Sequence, residues 1–257
     1  RTLLRKEGNG RGAVRDFGGQ AQRIYGDYVD VENKPGCALS IGCKALTKTW
    51  TTGTRLLVWR PSTADWIRSL GCESFGGGQR MGYWAWHPGD IDLRWNRRIM
   101  SYKGNTLALD APVTLSIEQR WGGAKAVAYT QPGLLERCGV ENLTLESDYD
   151  RTLPKDENHC WDGVSITDAE NCWVRMVTFR HFAGSSVVVG RSASQVTVED
   201  CKSLAPVSEI GGLRRRTYLV LGEKTLFQRC YSEYGINDYA AGHTAPGPNA
   251  FVQCESW

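Results

Sequence analysis

The sequence predicts an all-β fold, a right-handed parallel β-helix built as a single-stranded solenoid with irregular N-terminal excursions. Three observations carry that prediction. Short apolar segments recur through the second half of the chain. A second family of strands is phased between them. Glycine and serine break every stretch long enough for a crossover helix.

Five segments superimpose: Leu143–Asp148, Val177–Phe182, Val196–Cys201, Thr225–Cys230 and Asn249–Cys254, starting 34, 19, 29 and 24 residues apart. Leu145, Phe179, Val198, Phe227 and Phe251 form one apolar column, and Phe182, Cys201, Cys230 and Cys254 form a second. Residues two apart in a strand share a face, and like residues on successive coils stack about 4.8 Å apart. The intervening family is Val164–Ile166, Val187–Val189 and Tyr218–Leu221. A βαβ sheet would need a helix of about ten or more residues between parallel strands. Gly184, Ser185, Ser186 and Gly190 leave no room for one between Ser165 and Val198.

Residues 1–138 are expected to be β-helix coils with inserted loops and one short helix, and residues 139–257 regular coils. Leu56–Trp59 and Thr106–Leu109 read as strands, and Pro61–Ile67 as a helix start with Ser62 or Thr63 as N-cap and Gly71 as its end. Trp257 follows a strand with no polar cap, so the solenoid is expected to continue or to pair with another chain, a homo-oligomer included.

Composition excludes some function classes. Formal net charge is +3, and no Gly-rich loop carries the Lys-Ser/Thr of a phosphate-binding motif, so nucleic acid is not an expected partner. No apolar run is long enough to span a membrane. The nine cysteines show no CxxC pair and no zinc spacing; they read as small buried hydrophobes.

Gly139–Leu143, Thr178–Ser185 and Val198–Cys201 resemble the pectate-lyase-like superfamily of β-helices, and Ser208–Gly212 with Pro246–Phe251 resemble a bacterial branch of it. The resemblance implies a polysaccharide partner, an extracellular or periplasmic location, and a lyase or glycoside hydrolase acting on an acidic polysaccharide. A non-catalytic carbohydrate-binding or adhesive β-helix is the alternative, because the motif sets of the best-known enzymes are absent.

Three clusters hold the candidate chemistry. Asp156, Glu157 and Asp162, with His159, are suited to Ca²⁺ or to acid/base work, Asp156 and Glu157 being the metal candidates. His181, Asp200 and Arg229 fall in one predicted column, which would set a carboxylate between two cations. Glu209 and Arg214, Arg215 and Arg216 are followed one coil later by Glu233, Asp238 and His243. A lyase needs a cation against the uronate and a base, whereas a hydrolase needs two carboxylates about 5–5.5 or 6.5–9.5 Å apart. Asp162, His181, Glu209, Arg215, Glu233 and Asp238 are thus the catalytic candidates. Trp161, Arg214, Arg216, Tyr239 and His243 are the substrate-binding ones.

Overall fold

The computed structural model describes residues 2–6, 15–18, 22–32, 38–43, 50–78 and 82–257. They form two compact units: residues 1–22, 132–245 and 249–257 make one, and residues 23–131 with 246–248 the other.

The first unit is a β-helix of three parallel sheets that the chain visits in turn. Sheet I stacks Arg15–Gly18, Val164–Thr167, Val187–Val189, Tyr218–Val220 and Tyr239–Ala241. Sheet II sets Leu135–Glu136 and Gly139–Glu141 on Ala169–Arg175, followed by Ser194–Glu199, Thr225–Gln228 and Asn249–Val252. Sheet III runs Thr2–Lys6, Leu143–Ser147, Thr178–Arg180, Lys202–Leu204, Tyr231–Ser232 and Glu255–Ser256.

Register corrects the predicted columns. Leu145 pairs with Phe179 in sheet III. Val198, Phe227 and Phe251 instead align in sheet II, below Val174. In sheet III, Thr144, Thr178, Lys202, Tyr231 and Glu255 align, giving coils of 34, 24, 29 and 24 residues. The predicted spacing of 19 stepped from one sheet to the next. Val177-Thr178-Phe179 and Val196-Thr197-Val198 carry the same two-residue alternation, and alternation does not say which sheet a strand joins.

The corner from sheet II to sheet III explains Cys201, Cys230 and Cys254 of the second predicted column, whereas Phe182 lies past the other end of sheet III and Val177 takes its place. Asn142, Met176, Asp200, Arg229 and Gln253 all adopt positive φ there, between 49° and 59°. Left-handed backbone is costly for residues with a Cβ. Here it lets each strand end keep its ladder: Asn142, Met176, Asp200 and Arg229 donate N–H to Arg175, Glu199, Gln228 and Val252 carbonyls on the next coil. The residue after each is turned inward, so Val177, Cys201 and Cys230 are buried. Their thiols are small enough for the corner, and Cys201 and Cys230 donate to carbonyls of Val174 and Val198 one coil away. All eight cysteines among the described residues are free thiols.

Residues 24–130 differ from expectation. Instead of coils they form a closed antiparallel barrel in the order Ala124–Thr130, Ile24–Glu32, Ala38–Cys43, Thr106–Val113, Leu93–Lys103, Arg55–Arg60. The local cause is Gly104, at φ 57°, which with Asn105 turns Leu93–Lys103 straight back onto Thr106–Val113 with Lys103 opposite Thr106. A two-residue turn joins only antiparallel strands. Leu93, Trp95, Arg97 and Ile99 alternate inward along the first of them. The expected helix is present as Ala64–Ser69, with Thr63 Oγ1 accepting from the Trp66 N–H at 3.4 Å, and Gly71 follows its end at φ 68°.

Candidate functional site

Most predicted site residues lie in the loops that lead from sheet III back to sheet I: 148–163, 181–186, 205–217 and 233–238. Within these loops the structure separates residues that meet from residues that brace the backbone.

Arg214 and Glu157 pair through Nε and Oε1, and again through Nη2 and Oε2 at 2.8 Å. The bond to Glu157 holds the Arg214 guanidinium above its ordinary pKa, against the opposing effect of burial. Arg214 also lies over the Trp161 ring, 5.7 Å from its centroid, and the Trp161 indole N–H donates to the Glu157 carbonyl. Lys155 reaches Glu209 at 2.8 Å. Glu157, Trp161, Glu209 and Arg214 are therefore brought together, but as pairs that neutralise each other.

Others fasten turns. Asp162 accepts from the Ser185 N–H at 2.9 Å. Asp238 accepts from Thr217 Oγ1 at 3.1 Å and from Ser232 Oγ. Arg215 donates to the Ser208 hydroxyl and carbonyl and to the Tyr234 carbonyl, and burial lowers its pKa. Tyr239 stacks on Tyr218 with centroids 5.4 Å apart, and its hydroxyl donates to the Cys230 and Glu255 carbonyls. Arg216 is half-buried with Nε turned inward, and His243 offers its carbonyl to Arg191.

The metal candidates are engaged. Asp156 accepts main-chain N–H bonds from Asp150 and Asn158 at 2.9 Å, and the Asp150 bond is the chief reason its carboxyl titrates low. With Glu157 bonded to Arg214, both carboxylates carry protein partners. Among the described residues no three His, Cys, Asp or Glu side chains form a metal cluster. His159 is fully buried, its Nδ1 against Ser147 Oγ at 2.7 Å and its Nε2 against the Asp156 and Val207 carbonyls.

His181 does not meet Asp200, a consequence of the coil-phase correction. It sits at the far end of sheet III, with Nδ1 4.0 Å from Glu146 and its ring edge-on to Tyr149. Burial lowers its pKa, and Arg180 and Arg151 reinforce that against Glu146. Asp200 and Arg229 do stack, joined by two bonds of 2.8 Å with Glu199 adding a third at 3.1 Å.

A concavity lies on the outer face of sheet III, a groove of about 910 Å³ lined by Lys202, Leu204, Arg229, Tyr231, Glu233, Gln253 and Glu255. Lys202, Tyr231 and Glu255 stand in register on consecutive strands. The Tyr231 hydroxyl donates to Glu233 at 3.4 Å, and Glu233 also accepts from the Ala205 N–H. Lys202 is exposed and has no ion-pair partner among the described residues. Of this set the sequence foresees Glu233 as a site residue and Arg229 as part of the His181–Asp200 column. Placing Thr178, Lys202 and Tyr231 in one column would have exposed the rest.

No protein-family model and no curated protein matches the chain. Among the solved structures it is similar to are three phage tailspikes, each at a low TM-score. The tailspike protein gp49 from Pseudomonas phage LKA1 is 10% identical over 95% of this chain and 48% of its own, at a TM-score of 0.38. The Gp54 tailspike of Acinetobacter baumannii bacteriophage AP22, solved with A. baumannii capsular saccharide, is 8% identical over 94% and 46%, at 0.38. The Pseudomonas phage phi297 tailspike gp61 is 8% identical over 99% and 50%, at 0.34. The chain thus spans about half the length of each. At these scores the fold rests on strand register alone.

Proposed function

We propose that this protein binds an acidic polysaccharide along the outer face of sheet III. The observation that carries the reading is the groove in which Lys202 stands exposed beside Tyr231, with no counter-ion among the described residues. A lysine in a long open groove suits a repeating carboxylate, and a tyrosine suits the apolar face of a sugar ring. Arg229 adds positive potential, although Asp200 and Glu199 already hold it. A linear sugar polymer running across the strands would pass Lys202, Tyr231 and Glu255 at steps of about 4.8 Å.

Cleavage is the second reading, favoured by Glu233 in the same groove with Glu255 one strand away. A hydrolase would use such a pair as acid and base. The test is titration with polygalacturonate, with absorbance near 235 nm and reducing ends followed in parallel. Binding to the parent and a loss of about tenfold or more in Lys202→Ala, with salt weakening the parent, is expected for a charge-led contact. Equal binding by the Lys202→Ala/Tyr231→Ala double variant sinks the reading.

A further inference from the structure

Among the described residues of the barrel two arginines are buried, and their guanidinium groups are met unequally. Arg97 is 1% exposed and, although its Nε has no acceptor, donates through Nη1 and Nη2 to the carbonyls of Asn96, Pro112 and Gly247 at 2.6–2.8 Å. Arg60 is 2% exposed, and neither its Nε nor its Nη1 has an acceptor.

Arg60 closes the strand Arg55–Arg60, where Leu56 and Val58 face the barrel core ahead of it. Its guanidinium lies against Trp66, 4.5 Å from the ring centroid. Trp66 is the helix residue packed on the core at this end of the strand, and Trp86 stacks behind it. Two carboxylates of the barrel unit are engaged elsewhere. Glu118, which acts on Arg60 only through space, pairs with Arg120 at 2.7 Å. Asp92 accepts from Trp59 Nε1 and from the Ser62 N–H and hydroxyl.

A guanidinium removed from water, with two donors unmet and Glu118 acting on it only through space, is a costly arrangement unless something completes it. Trp66 stabilises the cation through its ring face but offers no lone pair to the in-plane N–H groups. What is missing is therefore an anionic acceptor in the plane of the guanidinium, and a carboxylate has that geometry.

We infer that the end of the barrel beneath Trp66 is a binding site for a carboxylate, with Arg60 as its cationic anchor. The site is independent of the groove on sheet III, and no sugar contact is needed for it. The carboxylate has two possible sources, a small free acid or the acid group of a sugar, and two probes distinguish them.

The experiment is thermal unfolding of the full chain in sodium chloride, sodium acetate and sodium glucuronate at matched ionic strength and pH. A midpoint that rises with acetate concentration relative to chloride, and a rise abolished in Arg60→Met, is the expected result. Arg60→Lys keeps the charge and loses the planar fork, so it should respond to acetate with a weaker dependence on concentration. A response to glucuronate as well as acetate assigns the site to a sugar-borne acid, and a response to acetate alone assigns it to a small one. Equal midpoints in all three salts, or an acetate response that persists in Arg60→Met, overturns the inference. If Arg60→Met fails to fold, the comparison of the parent with Arg60→Lys decides: identical acetate dependence in the two is then the contrary result.

Discussion

Asp156 shows how a residue suited to one chemistry is spent on another. Its two oxygens receive the N–H groups of Asp150 and Asn158, closing the 148–163 loop on itself. Removing the acceptor in Asp156→Ala strands both donors, at a cost of about 1–3 kcal/mol. Chemical denaturation should report that loss, and added Ca²⁺ should not restore it. His181 supplies a pH test. Burial holds its imidazole below the ordinary 6.5, so the folded protein takes up the proton less readily than the unfolded chain. Stability from this group is complete above about pH 6.5 and is lost as pH falls through the lowered folded value. His181→Gln should flatten the fall in unfolding midpoint on that acid side, and an unchanged slope would show that other groups set it. The sequence marks both side chains as chemical candidates. The bonds of Asp156 lie within its own loop but depend on how that loop folds back, and the contact of His181 with Glu146 depends on two coils stacking, neither of which a local pattern states.

At the scale of the element, the coils depend on a few close approaches. A Cβ on Gly222 would stand 2.4 Å from the Ala193 carbonyl oxygen and 2.6 Å from that of Gly190. These are backbone atoms, which cannot swing aside as a side chain would. Gly222→Ala should therefore cost about 1–3 kcal/mol as overpacking, measured by denaturant midpoint, whereas Gly53→Ala, in open space, should show only the strain of its φ of 89°. Much of this level was legible beforehand. The strands Val164–Ile166, Val187–Val189 and Tyr218–Leu221 do stack as one sheet. So do Thr225–Gln228 and Asn249–Val252. The step from Phe179 to Val198 was not legible, because sheets II and III share one alternation and differ only in which neighbour they hydrogen-bond.

Across the whole molecule, two large hydrophobic cores among the described residues have no residue in common, and Leu57, Val127 and Tyr129 make a third, small cluster. One runs through the coils, with Val198, Phe227 and Tyr218 among its members; the other fills the barrel, with Leu56, Trp95 and Leu107. Phe227→Ala removes a ring stacked 4.9 Å from Phe251 and should cost about 3–5 kcal/mol. In hydrogen exchange the faster amides should appear in Thr225–Gln228 and the strands beside it. Leu107→Ala should produce the converse pattern in the barrel strands. Loss of protection spread evenly over both units from either substitution would contradict two separate cores.

By itself the sequence determined that the chain is β-structured, that parallel coils occupy the stretch from Gly139 onward, and that glycine and polar residues forbid helices there. Those are consequences of side-chain period and turn chemistry, which act over a few residues. Only the tertiary structure decided that residues 24–130 close into an antiparallel barrel, because closure depends on pairing between strands as far apart as Ile24–Glu32 and Ala124–Thr130. It also decided that Lys202, Tyr231 and Glu233 share a groove and that Arg60 is buried with Nε and Nη1 unmet. Register and burial are properties of the folded neighbourhood: coils of 24, 29 and 34 residues bring side chains together by stacking, at distances along the chain that no fixed spacing encodes.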